Sequence, residues 1–414
     1  MFVDSLLKLS TKVVAKSLAE DRYQHLDITL EAPLSDQVFS EVTKLKVSNF
    51  PSICSSIIAK ESGLKLNLTH FDSNSFSVDR FDMENLCLHD IRSLVVDLDT
   101  IIEIEEYMIE KSIDIARVFR MWLNEESCQN LRELKIKGEQ RLHGNWTEQL
   151  GKLLPNLQSF NCHLEDTYHF PSLCESFPNL VALKPSYVDN LEGIRYLKNL
   201  QLLTLYSPSI DMTEFVEDLL ELLNLRVLDV TGSSGFFEYL LLCDGTFQTL
   251  KFIECSESDI TETQLRELVK RHPSLKSIAL LGTSCDYIDF SDLPITVLNF
   301  STFESTIGTI RYTLLHKGFE DFGCPNSILR LAELLENGTI RGFKEEEFLK
   351  TMMKVTQKCP PLEDQVTKCL ISYFKRFFPD QSMKNIIKNL DPKSALFIER
   401  RWAAQTVSRY FPDK

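Results

Sequence analysis

Asn224-Leu225-Arg226-Val227-Leu228-Asp229-Val230, Thr249-Leu250-Lys251-Phe252-Ile253-Glu254-Cys255 and Ser274-Leu275-Lys276-Ser277-Ile278-Ala279-Leu280 are three versions of one heptapeptide, each 25 residues from the next. A short polar residue comes first, followed by apolar residues at i, i+3 and i+5. The last two are two positions apart, so in an extended chain both point to one face while i+2 and i+4 point to the other. The same spacing extends outward in Leu131-Leu134-Ile136, Leu157-Phe160-Cys162, Leu200-Leu203-Leu205 and Ile295-Leu298-Phe300, with a copy at Leu180-Leu183 interrupted by Pro185. The starting positions from Leu131 to Ile295 recur every 20–26 residues.

Between these strands the apolar spacing turns helical, as from Met212 to Leu220 and in Thr263-Gln264-Leu265-Arg266-Glu267-Leu268-Val269. Thr261 followed by Glu262 sets an acidic first turn, and Pro273 closes the segment. One strand and one helix at this period is the leucine-rich-repeat pattern. The expected fold is α/β, a solenoid horseshoe with a parallel β-sheet on its concave side. Upstream copies are expected at Tyr23-Leu26-Ile28, Val42-Leu45-Val47, Met83-Leu86-Leu88 and Ile91-Leu94-Val96. Met108, Ile109, Ile113, Ile115, Ala116 and Phe119 predict a helical insertion near 103–125.

After about residue 311 the strand motif stops. Helical segments are expected near 326–337, 345–358, 362–378 and 394–411, divided at Asn337-Gly338, Pro360-Pro361 and Pro379-Asp380, with Asp391-Pro392 opening the last. The expected domains are an N-terminal helical region 1–45, a repeat domain 46–310 and an all-helical region 311–414. The last is either an armadillo-like extension or a polar-faced cap on the solenoid.

Composition sets bounds on function. With 43% hydrophobic and 25% charged residues the chain can bury a large core. No run reaches the roughly 18 apolar residues of a membrane span, and no secretory leader is expected. The net charge of −15 opposes phosphate backbones, and basic pairs such as Lys375-Arg376 and Arg400-Arg401 are isolated, so neither nucleic acid nor a membrane is an expected partner. The 11 cysteines form no CxxC pair, so reduced core thiols are expected, with no metal and no disulfide framework. Cys162 and Cys255 fall at core positions of the repeat. No GxSxG, GxxxxGK[ST], HExxH or Rossmann glycine pattern occurs, and no catalytic residue, cofactor or enzyme activity is expected. His272 sits at a helix end, where the helix dipole accounts for it.

The first helix carries a second signal. Asp4 can cap a helix starting at Ser5, and Leu6, Ser10 and Val14 form a stripe that Leu9 and Val13 widen. Such a helix either covers the first repeat or docks in a partner's groove. Ser5, Leu6, position 10 and Val14 resemble the Elongin C-binding box of cullin-two ubiquitin ligase receptors, with Ser10 where the box carries Cys. Together with Ile260-Thr261-Glu262, Arg271-His272-Pro273-Ser274-Leu275-Lys276 and Leu280-Leu281-Gly282-Thr283, the chain resembles the Zyg-eleven and Zer-one family over about residues 1–370. It would be a short member without most of the family's armadillo array.

The resemblance implies a substrate-recognition adaptor. Elongin C, with Elongin B, would hold Ser5, Leu6, Leu9, Ser10, Val13 and Val14. A cullin-two scaffold would contact Pro33-Leu34 in Pro33-Leu34-Ser35-Asp36-Gln37-Val38, and localisation would be cytoplasmic or nuclear. The alternative is a leucine-rich scaffold unrelated to ubiquitination. For the substrate, the i+2 column suggests a displayed apolar strip of Leu202, Val227 and Phe252 flanked by Asp229 and Glu254. β-branched and aromatic residues also simply suit strands.

Overall fold

The computed structural model describes residues 6–45, 50–109, 111–163, 169–186, 188, 190–205, 216–316, 323–337, 340, 343–381, 383–389 and 396–410. Expectations placed on Asp4, Ser5, Val47, Met212, Gly338 and Asp391-Pro392 lie outside the described residues. The chain forms two compact units, residues 1–229 with 238–250 and residues 230–237 with 251–414. They part inside the repeat array and not at the expected positions 45 and 310.

The first unit opens with α1 (Leu6–Ala19), β1 (Ile28–Leu30), α2 (Leu34–Val42) and α3 (Phe50–Ile58). Next come β2 (Leu64–Leu66), which pairs in parallel with β1, then β3 (His70–Asp72), α4 (Arg80–Glu84) and β4 (Ser93–Asp97). The expected helical insertion is different in kind. Met108 and Ile109 form β5 of a small antiparallel hairpin with β6 (Ser112–Ile113), and only then do α5 (Ile115–Trp122) and α6 (Glu125–Asn130) follow. Asp114 and Asn124 cap those two helices, accepting from Arg117 N and Ser127 N.

The repeats then run through β7 (Glu133–Lys137), α7 (Trp146–Leu153), β8 (Ser159–His163), α8 (His169–Ser176), β9 (Ala182–Ser186), β10 (Leu202–Thr204) and β11 (Val227–Asp229). Within this unit the sheet order is β3-β4-β7-β8-β9-β10-β11, all parallel. The register links Leu94, Leu134, Phe160, Leu183, Leu203 and Leu228, which are the i+3 residues of the motif. Each is 2% exposed or less, and burial at this level contributes roughly 1.5–3 kcal/mol per side chain. Pro185 continues its strand, buried, opposite Cys162.

The connections differ from copy to copy. The 26- and 23-residue steps from Leu131 and Leu157 carry α7 and α8, whereas the 20-residue step from Leu180 to Leu200 carries a 3-10 turn, Ile194–Tyr196, whose larger rise spans the return with fewer residues, and the 25-residue step from Leu200 to Leu225 carries another, Glu217–Glu221. The short polar residue ahead of each copy also has a physical role. Asn156 Nδ2 donates to Gln129 O (3.0 Å), Asn179 Nδ2 to Pro155 O (3.1 Å), Asn224 Nδ2 to Lys198 O (2.8 Å) and Thr249 Oγ1 to Leu223 O (2.8 Å). This ladder satisfies turn carbonyls that the sheet leaves without partners.

Of the upstream copies, Ile91-Leu94-Val96 forms β4 as expected. Met83 and Leu86 are buried, but in α4 and a 3-10 turn; Val42 ends α2, and Leu26 and Ile28 are exposed. Asp36 fastens α2 to the sheet, accepting from Thr69 N (2.8 Å), Thr69 Oγ1 (2.6 Å) and His70 N (3.1 Å). Asp36→Ala leaves those donors without an acceptor and should cost about 2 kcal/mol in urea unfolding. A loss below about 0.5 kcal/mol would mean that water replaces the carboxylate.

The second unit contains β12 (Phe252–Glu254), α9 (Glu262–Arg271), β13 (Ser277–Ala279) and β14 (Thr296–Leu298), the strands again parallel. Thr261 and Gln264 form a reciprocal capping box at the start of α9. The register pairs Ile278 with Val297, so the last copy runs Pro294-Val297-Asn299, one residue earlier than the expected Ile295-Leu298-Phe300. Leu298 and Phe300 are buried as well because α10 (Phe303–His316) packs on β14, and the alternation that sets phase is lost. Asn299 fills the i+5 site, donating to Cys285 O (3.1 Å) and Ile288 O (3.0 Å).

The helical remainder comprises α11 (Gly323–Asn337), α12 (Glu345–Lys358), α13 (Glu363–Phe377), α14 (Met383–Asn389) and α15 (Phe397–Tyr410). These share one core with α10, built on Phe348, Met352, Leu370 and Tyr373. Arg400 and the Tyr373 hydroxyl both donate to the Glu345 carboxylate at its edge.

Candidate docking surfaces

Helix α1 turns its two sides to different surroundings. Thr11, Ala15 and Leu18, one stripe at i, i+4 and i+7, are buried where α1 packs on α2. The opposite stripe is open: Leu6 is 81% exposed, Leu9 42% and Val13 64%. Ser10 lies on it, its hydroxyl donating to Leu6 O (2.8 Å), and Val14 is half-buried at its border. Of the expected Elongin C contacts only Ser5 lies outside the described residues. Pro33 and Leu34 are exposed at the start of α2, while Ser35, Val38 and Phe39 are buried behind them. The apolar stripe and Pro33-Leu34 therefore belong to elements tied to the sheet through Asp36.

The expected substrate strip divides between the two units. In the first, Leu202 is 38% exposed, Val227 stands opposite it in register, and Asp229 is half-buried at i+4. In the second, Tyr312 of α10 lies against Phe252, ring centroids 5.2 Å apart. Glu254 is 1% exposed, with Oε1 accepting from Ser256 N at 2.9 Å, so its carboxylate turns back into its own chain and does not flank an open strip. Helix α10, which packs on β14 and reaches Phe252, accounts for part of this covering.

The titratable groups read as structural. Burial holds the His89 and His272 imidazoles down to about 4, so His272 at the end of α9 is a buried neutral ring and not a cation on a helix dipole. Burial pushes the Cys54 thiol up to about 12 and the Asp286 carboxyl up to about 6. Cys162 and Cys255 are buried at their repeat positions, and the Cys255 thiol donates to Ala279 O at 3.0 Å. Among the described residues no group of three or more His, Cys, Asp or Glu side chains could hold a metal, and no helix is long and apolar enough to cross a membrane.

No protein-family model matches the chain. Over 324 residues, 75% of the chain, it is 30% identical to Gastrulation-defective protein 3 of Caenorhabditis elegans. That stretch is 45% of the relative's length, so the chain spans less than half of it. Among solved structures, the complex of Rad7 and Elc1 from yeast aligns with 72% of this chain and 98% of that one, at a TM-score of 0.27 and 12% identity. An internalin from Listeria monocytogenes aligns with 71% of this chain and 88% of its own, at 0.29 and 14%.

Proposed function

We propose that this chain is a non-catalytic substrate-recognition adaptor of a ubiquitin ligase, held by Elongin C through α1 and by a cullin-two scaffold through Pro33-Leu34, with a leucine-rich-repeat solenoid presenting the target protein. The observation that carries the reading is the outward apolar stripe of Leu6, Leu9, Ser10 and Val13. A helix serving only to cap the first repeat would turn Leu6 and Val13 inward, because burying them gains roughly 1.5–3 kcal/mol each. Here Thr11, Ala15 and Leu18 face the core instead, and the side bearing Leu6 and Val13 remains open for a partner's groove. The resemblance to the Zyg-eleven and Zer-one family supports the same reading, as does the 30% identity to a curated relative.

In this reading α2 fixes the geometry. Its buried residues lock to the sheet, so a partner on α1 and a partner at Leu34 keep a constant relation to the repeat strands. Ser10 would occupy the site of the box cysteine as a small side chain with its hydroxyl already bonded inside the helix. The helices α11 to α15 would form an armadillo-like unit.

The test is capture of purified Elongin B–Elongin C and cullin-two by the wild-type chain and by a Leu6→Asp, Val13→Asp double variant. Both residues are exposed, so circular dichroism and melting temperature should not change. Capture by the wild type with at least a 100-fold weaker Kd in the variant is expected. Failure of the folded wild type to capture Elongin C overturns the proposal and leaves a leucine-rich scaffold outside ubiquitination.

A further inference from the structure

At the N-terminal ends of β7 to β11, all within the first unit, lies an open groove of about 550 Å³. Its floor is the asparagine ladder: Asn156, Asn179 and Asn224, each with one carboxamide N–H committed to the preceding repeat. Asn199 continues that row, and Gln158 and Gln201 stand beside it at the i+1 position of their copies. These last three side chains make no hydrogen bond with another described residue. Arg132 closes one end, sharing one N–H with Asn156 O at 2.7 Å. No carboxylate and no aromatic ring lines the groove.

A carboxamide offers a donor and an acceptor together, which is what a peptide main chain presents in turn. Four inter-strand steps of about 4.8 Å separate Arg132 from Asn224, roughly 19 Å, the length of five or six extended residues. Sugars and nucleobases lack the aromatic platform they stack on, and a phosphate backbone would find one cation only. We propose that this groove binds an extended polypeptide lying across the strand ends, its main chain held by Gln158, Asn199 and Gln201 and a carboxylate set against Arg132. The inference goes beyond the ligase reading and does not depend on it, since its test reads peptide binding and not Elongin C capture.

The probe is a randomised hexapeptide library displayed with a free C-terminus, selected on the full chain, with the recovered peptides resynthesised for titration. Expected are peptides whose affinity falls at least tenfold in a Gln158→Ala, Gln201→Ala double variant and in Arg132→Gln, which keeps a donor for Asn156 O. A C-terminally amidated copy of each peptide separates a terminal carboxylate from an Asp or Glu side chain as the group at Arg132. Equal binding to wild type and both variants, checked for unchanged melting, overturns the proposal, and so does a selection that enriches nothing.

Discussion

Gly63→Ala should lower the melting temperature of the first unit by roughly 6–12 °C, the consequence of about 3 kcal/mol of overpacking in a unit of this size. A Cβ built on Gly63 runs into Tyr23 O and meets Tyr23 C at 2.5 Å and Gln24 Cα at 2.6 Å. All three are backbone atoms, so no rotamer change relieves the clash and the segment between α1 and β1 must move. That movement pulls on the β1–β2 pairing, where Ile28 lies opposite Leu64, one residue beyond the glycine. If α1 holds Elongin C as proposed, the variant should also weaken that capture, although the substitution is remote from Leu6. Differential scanning calorimetry decides the matter: an unchanged first transition would mean that residues 23 and 24 yield at little cost.

His89→Ala should be comparably damaging, by about 3–4 kcal/mol, and should flatten the acid limb of stability. The ring is fully buried, with Nε2 donating to Ile58 O at 2.8 Å and Nδ1 accepting from Leu68 N at 3.2 Å. Asn124 and Ser127 hold its carbonyl, at 2.8 and 2.9 Å, so one residue joins α3, the approach to β3 and the start of α6. Burial lowers its pKa from 6.5 to about 4. The unfolded chain thus takes up a proton that the folded chain refuses across that window. The histidine's contribution is complete above pH 6.5 and is lost as pH falls toward 4, about 3 kcal/mol in all. His272 acts with the same sign in the second unit, while Asp286, raised to about 6, acts with the opposite sign. Urea titrations at pH 7 and pH 5 on wild type and variant isolate the His89 share, and parallel pH slopes in the two proteins would refute it.

The repeat was legible because strand alternation and repeat length agree from Leu131 to Leu280: every i+3 residue read from the sequence occupies the same rung of the sheet in its unit. Legibility fails where packing covers both faces of an element. β14 is the case in point, since α10 buries Leu298 and Phe300 and shifts the apparent phase by one residue. Helix α10 itself is hidden in the sequence because its inner side carries Thr306, Thr309 and Thr313, poor helix formers whose hydroxyls bond to carbonyls at Thr302, Asn299 and Ile310. Asp36 was invisible for another reason: its partners lie 33 and 34 residues away, and no local pattern marks them. At the first helix the sequence defines an apolar stripe but not which side faces in. The small inner residues Ala15 and Thr11, which allow close approach to α2, decide that.

A parallel sheet ends in a row of unpaired main-chain groups, which can template a neighbouring molecule or accept a further duplicated strand. β14 is only three residues long, a helix lies against it, and Thr309 Oγ1 donates to the Asn299 carbonyl just beyond it at 3.3 Å. A duplicated strand added beside β14 would have to accommodate that helix and displace that hydroxyl, so the array is hindered from growing by tandem duplication at this end. The same contacts work against fibrous self-association through this edge.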